Sequence, residues 1–199
     1  MPAMSPLKLI LASASPRRTE LLSAVGLPHR VVVAQVIEHE DASTDPKEMV
    51  LHNAQLKARA VAKDFPGAII LGADTTVALG DRALNKPASL EESRTMLRAL
   101  SGQTHTVHTG ICLICRDLGL EESHDITAWV RFRDLSDADI TKYQGLVNTL
   151  DKAGAYGIQE GREIIIDDYQ RPISTIMGLP VEFVLERLHT LGLRARISA

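Results

Sequence analysis

The stretch Ser13-Ala14-Ser15-Pro16-Arg17-Arg18-Thr19-Glu20-Leu21-Leu22 limits most sharply what this chain can fold into. It follows the apolar run Leu9-Ile10-Leu11, which reads as the centre of a buried strand over Leu7–Ala12. Ser15 suits a helix N-cap and Pro16 the first helical position, so a helix is expected over Pro16–Val25. Gly26 stands where such a helix would stop. Arg17 and Arg18 then fall in the first turn, at the positive end of the helix dipole, at a cost of about 0.3–1 kcal/mol each. That end already carries unpaired backbone N–H groups. Two arginines, a serine hydroxyl and free N–H donors on one strand–turn–helix corner make an anion site, most simply for phosphates. The plainer alternative is a solvated arginine pair.

The rest of the chain alternates between the two periodicities. Arg30–Val36 is β-branched and reads as a second strand, followed by a polar loop from Glu38 to Asp45. Pro46 opens a long helix to about Asp64, with Val50, Ala54 and Val61 on one face. Ala68–Leu71 reads as a strand ending at Gly72-Ala73-Asp74-Thr75, resumed by Thr76–Leu79, with a Gly80-Asp81 turn before Ala83-Leu84. Ser89-Leu90-Glu91-Glu92 is a capping box for a helix to about Leu100, with glutamates in its first turn as the dipole prefers. Against that pattern the arginines at Pro16 are the exception. Thr104–Cys115 and His124–Arg133 read as long strands joined near Asp117-Leu118-Gly119. Ser136 opens a helix to about Gly145, Glu163–Ile166 reads as a short strand, and Pro180–Leu191 as a last helix stopped by Gly192. Strands mixed with helices, including an antiparallel pair, predict an α/β fold with a mixed sheet. With 199 residues and no internal boundary, one domain over 1–199 is expected.

Composition removes several function classes. A net charge of −3 offers no general affinity for nucleic acid. No apolar run approaches a membrane span, and Pro2, Ser5, Pro6 and Lys8 interrupt any signal-peptide pattern, so a cytoplasmic location is the expectation. Cys112 and Cys115 lie three apart in a strand, on opposite faces, which predicts two structural thiols rather than a redox or zinc pair. His105 and His108 are separated by the same argument. No P-loop, dinucleotide-binding or serine-hydrolase motif occurs.

The remaining polar groups suit phosphate chemistry. Asp74, after a buried strand and a glycine, could hold a divalent cation or take a proton from water, or be an ordinary turn aspartate. Glu38 could be a second carboxylate facing a metal, though Glu40 and Asp41 beside it suggest a merely acidic loop. Lys57 and Lys86 could neutralise phosphate charge or be surface lysines. In Asp151-Lys152-Ala153-Gly154-Ala155-Tyr156-Gly157-Ile158-Gln159 the glycines allow close approach to a ligand, and the Gln159 amide suits a base edge. A glycine-rich connector is the alternative.

Together these segments resemble the Maf family of nucleoside triphosphate pyrophosphatases. The matching residues are Ser13, Ser15-Pro16-Arg17-Arg18, Glu20-Leu21-Leu22, Glu38, Lys57, Gly72-Ala73-Asp74-Thr75, Lys86-Pro87, Ser101-Gly102, Asp151 to Gln159 and Gly178-Leu179-Pro180, in the family's order over nearly the whole chain. The resemblance implies an elongated mixed sheet flanked by helices, as in Maf and ITPase folds, with a cleft between two lobes and often a homodimer. It implies a hydrolase dependent on Mg2+ or Mn2+ that cleaves a nucleoside triphosphate between the α- and β-phosphates. Asp74 matches the family's catalytic aspartate and Glu38 an acidic position near the metal. Ser13, Arg17, Arg18, Lys57 and Lys86 match positions facing the triphosphate. Arg17, Thr75 and Gln159 match the branch acting on dTTP and UTP, with modified pyrimidine nucleotides a further substrate class. The branch acting on 7-methyl-GTP tends to carry tryptophan, glutamine and glutamate there, which suits a cationic purine. Asn148-Thr149-Leu150, Asn85 and Asp168 to Pro172 depart from the family pattern. Rival readings are the same reaction on another nucleotide, or a nucleotide-binding regulator of cell division without turnover.

Overall fold

The computed structural model describes residues 8–193. Residues 1–7 and 194–199, among them Leu7 of the expected first strand, lie outside the described residues. In chain order the elements are β1 (Leu9–Leu11), α1 (Pro16–Ala24), β2 (His29–Val31), α2 (Pro46–Ala62), β3 (Ile69–Leu79), β4 (Arg82–Leu84), α3 (Leu90–Leu100), β5 (Thr104–Cys115), β6 (Leu120–Phe132), α4 (Asp137–Leu146), α5 (Arg162–Ile165), β7 (Ile166–Tyr169), α6 (Ile173–Ile176) and α7 (Val181–Thr190). The strands form one mixed sheet in the order β2-β1-β3-β5-β6-β7, with β4 also on β3. β1 runs parallel to β2 and β3, whereas β3, β5, β6 and β7 are antiparallel neighbours. No helix among the described residues is long and apolar enough to cross a membrane.

β1 and β4 pair with the same edge of β3. β1 covers Ile69–Leu71 and β4 covers Val77–Leu79, so residues 72–76 on that edge have no strand partner. The chain has already left β1 for α1 at Pro16. A notch therefore opens in the sheet at Asp74 and Thr75. Side chains from both faces of β3 reach it, because alternate residues point to opposite sides. Asp74 does not follow a strand, as expected from sequence, but lies within one continuous strand.

The core has three parts. Leu9, Leu11, Leu22, Leu71, Leu113 and Leu188 fill one face of the parallel half, beneath α1 and α7. Ile10, Ala54, Ala58, Ile70 and Cys112 fill the other face, beneath α2. Phe132, Tyr143, Tyr156 and Leu100 centre a third cluster at the antiparallel end. Cys112 and Cys115 belong to opposite clusters, and burial pushes the Cys112 thiol up to about 11. Both cysteines are buried and free, on opposite faces of the sheet as expected.

Two glycines set the distance of α2 from the sheet. A Cβ on Gly72 would lie 2.2 Å from the carbonyl oxygen of Ala54. One on Gly110 would lie 2.4 Å from that of Val50. Gly110 sits opposite Asp74 across β3–β5. The helix backbone thus rests directly on the strands beside Asp74, with Ala54 and Ala58 fully buried in the seam.

Some expected boundaries moved. The strand expected at Arg30–Val36 is only His29–Val31, since β2 can pair only as far as β1 extends. Glu163–Ile166 is not a strand: Gly161, in the left-handed region at φ 61°, starts a helical turn, and the strand begins at Ile166. Ser15 occupies the N-cap of α1 but makes no side-chain cap; Ser13 Oγ instead accepts from the Ser15 N–H at 3.2 Å. At α3, Ser89 accepts from the Glu92 N–H, but the Glu92 carboxylate returns to Ala88 N, one residue outside the expected box.

Gly72→Ala is expected to lower the unfolding free energy by about 1–3 kcal/mol, or more, by forcing α2 off the sheet; urea denaturation measures this. His105 is buried with its Nε2 against the Tyr156 hydroxyl at 2.8 Å, and burial lowers its pKa from 6.5 to about 4. The unfolded chain therefore binds this proton first. The His105 contribution is intact above pH 6.5 and is lost as pH falls toward 4, by about 3 kcal/mol in total. His105→Gln is expected to flatten the dependence of the urea midpoint on pH across that range.

Candidate active site

The notch opens into a cleft of about 410 Å³, within the usual range for small-molecule sites. Ser13, Arg17, Arg18, Glu38, Lys57, Asp74, Thr75, Lys86 and Gln159 all line it. These come from the β1–α1 turn, the first turn of α1, the loop after β2, α2, β3, the segment after β4, and the loop between α4 and α5. All the site residues expected from sequence are brought to one cavity.

On the α2 face of β3, Lys57 Nζ lies 2.8 Å from Asp74 Oδ1 and 2.5 Å from Glu38 Oε2. The ammonium thus sits between the two carboxylates, with its side chain 9% exposed. Asn53, one helical turn earlier, donates from Nδ2 to Asp74 Oδ2 at 3.0 Å. Burial would raise the Asp74 carboxyl, but the charges of Lys57 and Arg18 and the hydrogen bonds from Lys57 and Asn53 outweigh it. Asp74 is held below the ordinary 3.8 and is ionised at neutral pH.

On the other face, Arg18 is buried and joins three segments. Its Nε donates to the Gly178 carbonyl at 2.8 Å, Nη1 to Ser13 Oγ at 2.9 Å and Nη2 to Thr75 Oγ1 at 3.1 Å. A guanidinium has five N–H donors; these bonds use three of them. Burial lowers the Arg18 pKa below its ordinary value, while Asp74 and Glu38 pull it back up. Thr109 spends its hydroxyl hydrogen on the Thr175 carbonyl at 3.0 Å. Thr75, 3.1 Å from Thr109, is then the donor in that pair. Its oxygen accepts from Arg18, and the Gly178 carbonyl, 3.5 Å away, is a more distant second acceptor for its hydrogen.

Arg17 is only half-buried and makes no ion pair among the described residues, so the pair is unequal. Lys86 and Gln159 are exposed at the rim. Val77, Val107, Tyr156, Ile158 and Ile176 add apolar surface to the lining. The lining of the cavity therefore combines cations with apolar side chains.

Two residues were missed by sequence reading. Asn53 lies four before Lys57, on the buried stripe of α2 with Val50, Ala54 and Val61. A polar residue on that apolar stripe was the available signal. Lys152 also lines the cleft, 5% exposed, with its ammonium 2.8 Å from both Asn148 O and Asp151 Oδ1. It braces the loop that carries Gln159.

The carboxylates of Glu38 and Asp74 are oxygen donors of the kind that Mg2+ or Mn2+ prefers. No group of three or more His, Cys, Asp or Glu side chains is placed to hold a metal among the described residues. A divalent ion here would draw its other ligands from water and from substrate phosphate, which is the habit of Mg2+. The donor set fits such an ion.

Arg18→Lys is expected to destabilise the fold by about 2–3 kcal/mol in urea denaturation, because one ammonium cannot serve Gly178, Ser13 and Thr75 together.

The family model described as Maf-like protein matches residues 8–191. A protein of Akkermansia muciniphila named dTTP/UTP pyrophosphatase is 44% identical over 187 residues, covering 94% of this chain and 98% of that protein. A protein of the same name from Deinococcus radiodurans is 43% identical over 198 residues, covering 98% of each. Among solved structures, a HAM1 protein from Coxiella burnetii aligns over 63% of this chain and 73% of its own, at 20% identity and a TM-score of 0.46. By the family model and by identity over almost its full length, the chain belongs to the Maf family.

Proposed function

We propose that this protein hydrolyses dTTP and UTP between the α- and β-phosphates, releasing the nucleoside monophosphate and pyrophosphate. The observation that carries this reading is the ionised Asp74 at the notch in β3, flanked by Lys57 and Arg18 in a cleft lined by both cations and apolar side chains. The names of the relatives from Akkermansia muciniphila and Deinococcus radiodurans support the substrate class.

The triphosphate would lie against the cations of the lining. Arg17, Arg18, Lys86 and the N-terminal amides of α1 would hold its charge. Glu38 and Asp74 would hold Mg2+ or Mn2+, which supplies neutralisation of phosphate charge and polarisation of the phosphorus centre. Lys57, between the two carboxylates, keeps them close despite their mutual repulsion. Asp74 accepts a hydrogen bond from the attacking water, and takes its proton as the new P–O bond forms. That proton passes to solvent once pyrophosphate leaves with the electrons of the broken P–O bond. The base would rest against Val77, Val107 and Tyr156. There the Gln159 amide can both donate to a carbonyl and accept from the single N–H of uracil or thymine. A modified pyrimidine with the same edge fits the same contacts.

Pyrophosphate release should be measured with Mg2+ across a panel of triphosphates. UTP and dTTP are expected to show the highest kcat/KM, and Asp74→Asn to lower kcat by about 10²–10⁴-fold. Turnover of 7-methyl-GTP with none of UTP would reassign the substrate. Absence of hydrolysis with every triphosphate and metal would make the protein a nucleotide binder.

A further inference from the structure

We infer that Asn53 is a positioning residue of the reaction, which sets the two carboxylates of the cleft relative to one another. This rests on the pyrophosphatase reading above. Asn53 is 2% exposed, in the middle of α2. Its Oδ1 accepts from the backbone N–H of His39 at 2.8 Å, and its Nδ2 donates to the carbonyl of His39 at 2.9 Å. The second Nδ2 hydrogen goes to Asp74 Oδ2 at 3.0 Å. Both amide hydrogens and the carbonyl are thus used, and a flipped amide would set N–H against N–H at His39. The orientation has one solution.

The consequence reaches both carboxylates. Asp74 is touched directly. Glu38 is the residue before His39, whose backbone the amide holds by both its N–H and its carbonyl. The loop around Glu38 has no strand or helix of its own from residue 32 to 40, so its backbone depends on such side-chain contacts. A second asparagine, Asn85, donates to the carbonyl of Glu40 at 2.7 Å, further along the same loop. Lys57 joins the Glu38 side chain to Asp74, whereas Asn53 joins the backbone of that loop to Asp74. With Lys57 on Oδ1 and Asn53 on Oδ2, each oxygen of Asp74 has one fixed donor. What remains of its accepting capacity is directed to the cleft. Such hydrogen bonds to ligating carboxylates orient them, and their removal typically costs 10–100-fold in metal affinity or activity.

Asn53→Ala and the near-isosteric Asn53→Asp test this. Each is first checked for folding by circular dichroism. Mn2+ binding is then measured by electron paramagnetic resonance in the presence of a non-hydrolysable UTP analogue, and kcat and KM for UTP are measured beside the wild type. A positioning role predicts Mn2+ affinity and kcat each lower by about 10–100-fold, with the KM for UTP changed by less than about threefold. Folded variants that keep Mn2+ affinity and kcat within about twofold of wild type would overturn the inference. Should neither variant fold, the wild type decides. In protein labelled at asparagine, Mn2+ with the same analogue is expected to broaden the Asn53 side-chain amide signals, and unchanged signals would overturn the inference. Wild-type protein inactive on UTP would refute the pyrophosphatase reading instead, while the Mn2+ and amide measurements would still judge Asn53.

Discussion

The contact of the α2 backbone with Gly72 and Gly110 is the constraint on which the rest of the site depends. A helix normally stands off a sheet by the thickness of two layers of side chains. Here glycines on β3 and β5, with Ala54 and Ala58 on α2, remove much of that thickness. The carbonyl groups of Val50 and Ala54 occupy the space in which side chains would stand. At this separation Asn53 and Lys57, one turn apart, both reach Asp74. The glycines serve the chemistry by letting the charged groups of one element meet those of another.

The notch in β3 supplies the second requirement. A carboxylate in the middle of a fully paired sheet would be covered on both sides. β1 stops at Leu11 and β4 begins its pairing at Val77, which leaves the edge at Asp74 and Thr75 open. The alternation of the strand then divides the labour. Asp74 faces α2 and the lysine, while Thr75 faces Arg18 and the helical segments after β7. Arg18 ties α1, β3 and the Gly178 turn together. Arg17, one residue earlier, takes no part in that network and remains available to a ligand. Neighbouring arginines at one helix start thus have different physical situations: one is a buried cross-link, the other a half-exposed cation.

The alternation of strands and helices was legible because it rests on local periodicity. Thr104–Cys115 reads as a strand in sequence and is one, residue for residue. The opposed faces of Cys112 and Cys115 follow from the same period. The misreadings came where pairing decides what propensity cannot. Val31-Val32-Val33 favours a strand, yet β2 ends at Val31 because β1 has no further residues to offer it. Glu163 to Ile166 is apolar enough for either element, and Gly161 turns it into helix before the strand begins. Asp74 read as a residue beyond a strand because Gly72 interrupts the pattern, whereas that glycine is there to admit α2. Asn53 was passed over for a related reason: one polar residue on an apolar stripe is conspicuous only once its partners are known.

By itself the sequence determined the kind of chemistry available: two arginines at a helix start, two acidic residues after β-branched runs, lysines near them and a glycine-rich loop ending in glutamine. These are properties of residue type and short spacing, which a linear chain carries openly. Tertiary structure alone decided which of these groups meet, at what distance and in what state of charge. Lys57 between Glu38 and Asp74, Arg18 shared among Ser13, Thr75 and Gly178, and Asn53 bridging a loop to a strand all join residues distant along the chain. Their geometry is set by the register of β3 on β5 and the depth at which α2 lies. Neither is a local property, since each depends on which surfaces pack together when the sheet closes over its core.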